Sequence, residues 1–247
     1  LRLLKIKYVN LKKNNDLKKI KKLVTFSKKN KKIVALLVEK GALINDSIKN
    51  TKDIYSVNKE SFLKKLLENI NAKSKIISST GFNSREIMLI RKKYRITKGQ
   101  DFYMVGGMGH TSMVSLGVAL KSKKKTYCID GDGSLLMHMG SMHSVGLSNL
   151  NNFKHILFNN NCHDSVGGQK TNTFMLDFKS IVNGFGYKNY LKIDNKKNIE
   201  SVLKKFIKIK GPSFLEVIVD INRDKNLPRP KNLTLIKKKF INGNIKP

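Results

Sequence analysis

The stretch from Asp130 to Gln169, DGDGSLLMHMGSMHSVGLSNLNNFKHILFNNNCHDSVGGQ, constrains this chain most, because 26 residues separate Gly133 of a Gly-Asp-Gly turn from Asn160 of an Asn pair. Thr126 to Asp130 reads as a buried strand, Leu135 to Leu147 as a helix and His155 to Asn159 as a second strand, which is a βαβ unit of ordinary length. Parallel strands end on the same edge of a sheet. Asp132 and Asn160 are therefore expected side by side at the carboxyl edge, where open α/β sheets bind ligands. A carboxylate, an amide oxygen and a nearby main-chain carbonyl make a hard oxygen set suited to Mg²⁺, which keeps positions for phosphate oxygens and water. Gly131 and Gly133 permit close backbone approach, and the helix that follows adds a favourable dipole. Alone, the Gly-Asp-Gly turn also suits an ordinary strand-to-helix connection. The Asn pair one βαβ interval later is what points to a metal-diphosphate site.

Two further segments are rich in glycine and hydroxyls. Asp101 to Leu120, DFYMVGGMGHTSMVSLGVAL, sets two glycines, a methionine and another glycine before an apolar helix. Such a turn serves either tight core packing or close approach to a ligand. Lys75 to Glu86, KIISSTGFNSRE, is a short strand ending in hydroxyls and glycine before a helix. Its side chains suit both helix capping and donation to a diphosphate.

Together these runs resemble the thiamine-diphosphate enzymes, whose signature is GDG followed about this far on by an Asn pair. The runs STGFNSRE, FYMVGGMGH and HDSVGGQ are similar to the phosphonopyruvate decarboxylase family, with the likeness covering the chain from about Ile33 to Asp220. That resemblance implies thiamine diphosphate and Mg²⁺ as cofactors, the metal being held by Asp132, Asn160 and the main-chain carbonyl of Cys162. It implies cofactor contacts at Thr80, Gly81, Gly106, Gly107, Met108, Gly131, Asp132, Gly133, Ser134, Asn160, Cys162 and His163. Met108 falls where the family places a bulky apolar wedge beneath the cofactor, holding its two rings in a V. The Gly106 carbonyl falls where the aminopyrimidine amine is accepted. His163, Asp164 and Ser165, directly after the metal loop, and His110, after the wedge turn, are candidates for proton transfer or for binding an anionic substrate group, since imidazole can donate at neutral pH. Three of them have a second reading, His163 and Asp164 as anchors of the metal loop and His110 as a cap on the helix near Thr111. His138, His143 and His155 read as structural.

The reaction implied by the resemblance is decarboxylation of 3-phosphonopyruvate to phosphonoacetaldehyde and CO₂, a step of phosphonate (aminoethylphosphonate) biosynthesis. A sulfopyruvate decarboxylase subunit is the alternative, and a non-catalytic cofactor-binding fragment is another. The family activates its cofactor with a glutamate from a preceding pyrimidine-binding domain, usually across a subunit interface. Glu39 lies at the wrong end of that domain, and Glu60, Glu68, Glu86, Glu200 and Glu216 lie within or beside the second domain. The chain is therefore expected to carry the diphosphate and metal half of the site. It would need a pyrimidine-binding domain or subunit in a homo- or hetero-oligomer, would be inactive alone, and fits a truncated fused chain better than a natural split.

Composition narrows the partners. The formal net charge is +33, from 50 basic and 17 acidic residues, which would attract any polyanion. Yet Thr126 to Tyr190 holds four lysines and four aspartates, and only 6 of the 50 basic residues are arginine. The surplus sits on flanking segments such as Leu17 to Lys32 and Asn198 to Lys210, without interleaved aromatics, so no nucleic-acid role is expected. Two isolated cysteines, Cys128 and Cys162, make neither a disulfide scaffold nor a zinc cluster and point to a reducing cytoplasm. No apolar run approaches the roughly 20 residues of a membrane span.

The order of elements gives the organisation. Residues 1–46 are expected to end a pyrimidine-binding domain with the buried strand Ile33 to Gly41, residues 47–60 to form a linker, 61–222 a diphosphate-binding domain and 223–247 a charged tail, surface-attached or partly disordered. Alternating strands and helices in the long domain imply an α/β fold, a doubly wound parallel sheet with helices on both faces.

Overall fold

The computed structural model describes residues 1–12, 17–39, 41–43, 57–221 and 226–243. The chain divides into two compact units, Leu1–Thr51 and Lys52–Pro247. In the first, β1 (Lys7–Leu11) and β2 (Val34–Val38) pair in parallel, joined through α1 (Leu17–Asn30). The chain thus has a strand ahead of the basic segment from Leu17, where the sequence reading marked only the strand from Ile33. β2 was expected to be buried, but Leu36, Leu37 and Val38 are exposed, because a two-stranded sheet gives the strand a single neighbour. Positions 44–56, which contain most of the expected linker, lie outside the described residues, as does the boundary at Arg223.

The second unit opens with α2 (Lys59–Asn69), two residues ahead of the start expected at Ser61. The Asn58 side chain caps it, accepting from the Ser61 N–H at 2.9 Å. There follow β3 (Lys75–Ser78), α3 (Phe82–Tyr94), β4 (Gln100–Tyr103), α4 (Thr111–Lys121), β5 (Thr126–Gly131), α5 (Asp132–Met137), α6 (Ser141–Leu147) and β6 (Phe153–Asn159). A short 3-10 turn at Thr173–Met175 then leads to α7 (Phe178–Gly184), β7 (Asn189–Ile193), α8 (Ile199–Lys208), β8 (Ser213–Ile218) and α9 (Leu233–Asn242).

Six parallel strands form one sheet in the order β4-β3-β5-β6-β8-β7. The period-2 alternation of side chains divides the core. Ile129, Ile156 and Phe158 join Phe62, Leu66, Ile87, Ile90, Leu203 and Phe206 from α2, α3 and α8 on one face. Cys128, Phe153 and Leu157 join Leu116, Leu135, Met142, Val145, Phe178 and Val182 from α4 to α7 on the other. β6 is buried along its whole length and β5 nearly so, as expected of central strands covered on both sides. The unit is a doubly wound α/β sheet with helices on both faces.

Three details depart from the sequence reading. The helix expected from Leu135 to Leu147 is two helices, because His138 leaves helical backbone at φ −142° and ψ 43° and Gly140, a poor helix former, sits at the joint. β4 was not anticipated, being four half-buried residues at an edge with a charge, Asp101, inside it. The tail forms α9, whose Phe240 ring lies 5.5 Å from that of Phe102 on β4, while Lys75 Nζ donates to the Phe240 carbonyl at 2.6 Å. Ile236 and Phe240, at i and i+4, give that helix its inward side.

The strand order also locates a crevice. From β3 the chain goes outward to β4, then crosses back past β3 to β5. α3 consequently covers one face and α5 the other, so the carboxyl ends of β3 and β5 part at a topological switch point.

Candidate active site

A cavity opens at that crevice. Its wall includes Thr80, Met108, Gly131, Asp132, Gly133, Ser134, Asn160, Cys162, His163 and Asp164, all singled out from the sequence. Gly81 lines an adjoining cavity that shares Thr80 and Met108. Gly106, Gly107 and His110 belong to neither wall.

Asp132 begins α5 directly after β5 and is buried. Its Oδ2 accepts from Thr171 Oγ1 at 2.6 Å and lies 3.2 Å from Thr173 Oγ1. Burial pushes the Asp132 pKa up, while the bonds from Thr171, the Gly133 N–H and Thr173 oppose the rise. A divalent cation at the carboxylate would hold it ionised.

The two asparagines at the end of β6 divide the work between them. Asn159 faces the interior: Thr173 Oγ1 donates to its Oδ1 at 2.8 Å, and its Nδ2 donates to Glu216 Oε1 at 2.8 Å. Tyr190 closes the chain by donating to the other Glu216 oxygen at 2.5 Å. Asn160 faces the cavity, its Oδ1 accepting from the Cys162 N–H at 3.1 Å and keeping a second lone pair for a cation. β6 is thus clamped on its buried side while its next residue serves the site.

The segment after β6 folds back on itself. Cys162 bridges to Lys170, the His163 N–H donates to the Gln169 carbonyl at 2.7 Å, and the His163 carbonyl accepts from the N–H groups of Val166, Gly167 and Gly168. This brings His163, Asp164, Ser165 and Val166 to the cavity wall. Ser165 reaches the other side of the crevice, where a methyl group on Gly81 would meet its Oγ at 3.2 Å.

Met108 sits in a turn where Gly106, Gly107 and Gly109 all have positive φ, a backbone that only glycine adopts without strain. The Gly109 N–H donates to Ser134 Oγ at 3.1 Å, which ties this turn to the start of α5. The Gly106 carbonyl accepts from Thr80 Oγ1 at 2.6 Å, and its second lone pair remains for another donor. His110 stands at the N-cap of α4 without a side-chain capping bond; its Nδ1 is 3.2 Å from the Met108 carbonyl and its ring 4.3 Å from that of His138.

Sequence reasoning missed Lys59, Ser79, Phe82, Asn83 and Phe158 in the wall, and Thr171 and Thr173 behind it. The hydroxyl-rich TNT run at 171–173 was the available signal for the last two. Lys59 carried no local signal at all.

A separate group is closed off in the core. Cys128, Asp130 and His155 bring ligand-type atoms within 4.8 Å of one another, all buried. His155 Nδ1 is 2.9 Å from Tyr187 OH, whereas its Nε2 and the facing Asp130 Oδ2, 4.0 Å apart, have no hydrogen-bond partner. Burial lowers the His155 pKa to about 3 and raises that of Asp130 to about 6. These residues are not the expected metal donors, which lie at the cavity.

The cavity residues fit the expected groups. Asp132, Asn160 and the Cys162 carbonyl offer hard oxygens of the kind Mg²⁺ takes. Gly131 and Gly133 leave the backbone bare on the same wall, and Ser79, Thr80 and Ser134 supply hydroxyls for phosphate oxygens.

Comparison with known proteins agrees in kind. The model of the thiamine pyrophosphate enzyme C-terminal TPP binding domain matches residues 80–217. Phosphonopyruvate decarboxylase from Streptomyces viridochromogenes is 32% identical over 169 residues, 68% of this chain and 41% of that protein. Sulfopyruvate decarboxylase subunit beta from Methanocaldococcus jannaschii is 39% identical over 111 residues, 45% of this chain and 56% of that protein. The corresponding subunit from Methanococcus maripaludis is 30% identical over 171 residues, 68% of this chain and 88% of the subunit. The chain therefore spans between 41% and 56% of the length of the first two relatives.

Proposed function

This chain belongs to the thiamine pyrophosphate enzymes through their C-terminal TPP binding domain, and from that premise we propose that it supplies the diphosphate and metal half of a site that decarboxylates a 2-keto acid bearing an anionic group on C3. The observation that carries this reading is the meeting of Asp132, Asn160 and Cys162 with Met108 and the glycines 131 and 133 in one cavity wall. Bound thiamine diphosphate would supply the thiazolium carbon that attacks the keto group and the electron sink that lets CO₂ leave.

The chain's own residues then have assignable tasks. Asp132, Asn160 and the Cys162 carbonyl would hold Mg²⁺, and Thr171 fixes the carboxylate that the ion requires. Met108 would keep the two rings folded together, and the free lone pair of the Gly106 carbonyl would accept from the aminopyrimidine amine. His163 and Asp164, carried on the folded-back loop, are assigned to proton delivery or to the anionic group of the substrate. His110 keeps the same candidate role beside the wedge, reaching the site only through the Met108 turn. A pyrimidine-binding domain, fused or separate, would complete the site with its glutamate.

The first reading of the substrate is 3-phosphonopyruvate, with phosphonoacetaldehyde as product; it rests on the STGFNSRE, FYMVGGMGH and HDSVGGQ runs and on the Streptomyces relative. The second is sulfopyruvate, favoured by the Methanococcus subunit, most of whose length the chain covers. To decide, the chain is combined with a pyrimidine-binding domain, Mg²⁺ and thiamine diphosphate, and CO₂ release is compared for phosphonopyruvate, sulfopyruvate and pyruvate. The expected order in kcat/KM places phosphonopyruvate first. Faster turnover of sulfopyruvate selects the second reading, and binding of the cofactor without turnover of any keto acid would leave a non-catalytic role.

A further inference from the structure

Resting on that reading, we infer that Lys59, the first residue of α2, is the cationic contact for the cofactor's diphosphate. The observation is one of charge and place. Among the described residues of the cavity wall Lys59 is the single lysine or arginine, Arg85 and Arg229 lining the adjoining cavity instead, while Asp132 and Asp164 bring carboxylates to the same wall as Lys59. A diphosphate carrying one Mg²⁺ is still net negative, so it enters a wall whose carboxylates repel it unless a cation is present.

The placement of Lys59 is costly in local terms. An ammonium at the first turn of a helix opposes the helix dipole. Its side chain is also only 12% exposed, so much of its hydration is removed. Two neighbours offset this: Glu86 Oε2 on α3 lies 2.6 Å from Lys59 Nζ, and the Phe158 ring centroid lies 5.0 Å from it. The contact with Glu86 Oε2 engages at most one of the three N–H donors of the ammonium. The ammonium therefore retains donors for another acceptor. A local rule broken at a cavity wall is where a functional cause is to be sought.

The alternative is that the pair merely fastens α2 to α3, and the two roles differ in what they predict. In the fastening role, Lys59→Met and Glu86→Gln lower the Tm of the cofactor-free chain alike and leave affinity for thiamine diphosphate with Mg²⁺ unchanged. In the role inferred here, Lys59→Met raises the Kd by about tenfold or more, the loss expected of one charge-assisted contact. Lys59→Arg keeps most of the affinity, and Glu86→Gln binds at least as tightly as wild type, because it removes a negative charge near an anion. Thiamine monophosphate should lose less than the diphosphate in Lys59→Met. Titration calorimetry of the full chain, with Tm measured on each variant before ligand is added, supplies both readouts. Equal affinities for wild type and Lys59→Met, or equal weakening by Lys59→Met and Glu86→Gln, would overturn the inference while leaving the cofactor reading intact. Absence of thiamine diphosphate binding by wild type even when it is combined with a pyrimidine-binding domain would overturn the reading on which the inference rests.

Discussion

The imidazole of His163 fills the space that a side chain on Gly133 would need: a methyl group there would come within 2.9 Å of Cε1 and closer still to Nδ1. The turn after β5 and the loop after β6 are thereby packed against each other across the cavity, one bare of side chains because the other supplies a ring. Gly133→Ala should swing the ring out while changing global stability by about 1 kcal/mol or less, since Gly133 is helical and the ring can move. Affinity for thiamine diphosphate should fall in that variant. An unchanged affinity beside an unchanged His163 resonance would show that the packing has no bearing on the site.

Asp132→Ala should abolish the Mg²⁺ dependence of cofactor binding, because it takes the charged oxygen from the metal set. Asn160→Ala removes a neutral oxygen and should weaken binding less. Calorimetry with and without Mg²⁺ separates the two; identical Mg²⁺ dependence in wild type and Asp132→Ala would refute the metal assignment.

Thr173→Val tests the clamp behind the site. It strips the shorter bond from Asn159 Oδ1, which then keeps only the Asn161 N–H at 3.2 Å, and removes the 3.2 Å contact to Asp132. Stability by urea denaturation should drop by about 1–3 kcal/mol, as for other buried polar groups left short of a partner. A loss below the resolution of the measurement would mean that the Asn159, Glu216 and Tyr190 chain holds β6 without it.

Met108→Ala separates geometry from affinity. The metal end is untouched, so most of the diphosphate affinity should remain, whereas exchange of the thiazolium C2 hydrogen in the chain combined with a pyrimidine-binding domain should slow through loss of the folded arrangement. Proton exchange followed by NMR checks this. Exchange at the wild-type rate would leave Met108 as ordinary packing.

His155 sets a pH dependence. Its pKa in the folded chain is about 3 against 6.5 for a free imidazole, because burial disfavours the charged ring. The unfolded chain therefore takes up a proton below pH 6.5 that the folded chain refuses, and the stability contributed by the neutral ring is lost as pH falls from about 6.5 towards 3. Asp130, raised to about 6, carries the opposite slope across roughly pH 4 to 6, so wild type alone displays only the difference. The stability of wild type minus that of His155→Gln should rise between pH 4 and 6.5. A flat difference would show that His155 is charged or hydrated in the folded state.

Much of this was legible because it is local. The spacing of Gly-Asp-Gly and the Asn pair fixes one strand, one crossover and the next strand, and parallel pairing then delivers Asp132 and Asn160 to one edge whatever the rest of the chain does. The same alternation, repeated, implied the doubly wound sheet. It also placed the STG run, which follows a strand that must end on that edge, whereas Met108 was placed by the family resemblance alone, because the short edge strand before it was not anticipated. Helix length was less secure: the apolar run from Leu135 to Leu147 has helical character throughout, and only Gly140 marks the joint.

What the tertiary structure alone decided is which residues, distant in sequence, share the crevice. Lys59 reaches the wall because α2 packs beside α3, although nothing in VNKES distinguishes that lysine from the other lysines of the chain. Thr173 sits behind Asp132, 41 positions away, and Glu216 behind Asn159, 57 positions away, because β8 lies next to β6. His110 and the glycines 106 and 107 were placed in the site by the family resemblance; they line neither cavity, whereas Met108 of the same glycine-rich turn lines both. Sequence period and spacing report the direction of each strand and the content of each turn. Strand order, which sets who faces whom, is a property of how the whole chain buries its apolar faces, and no short run of residues contains it.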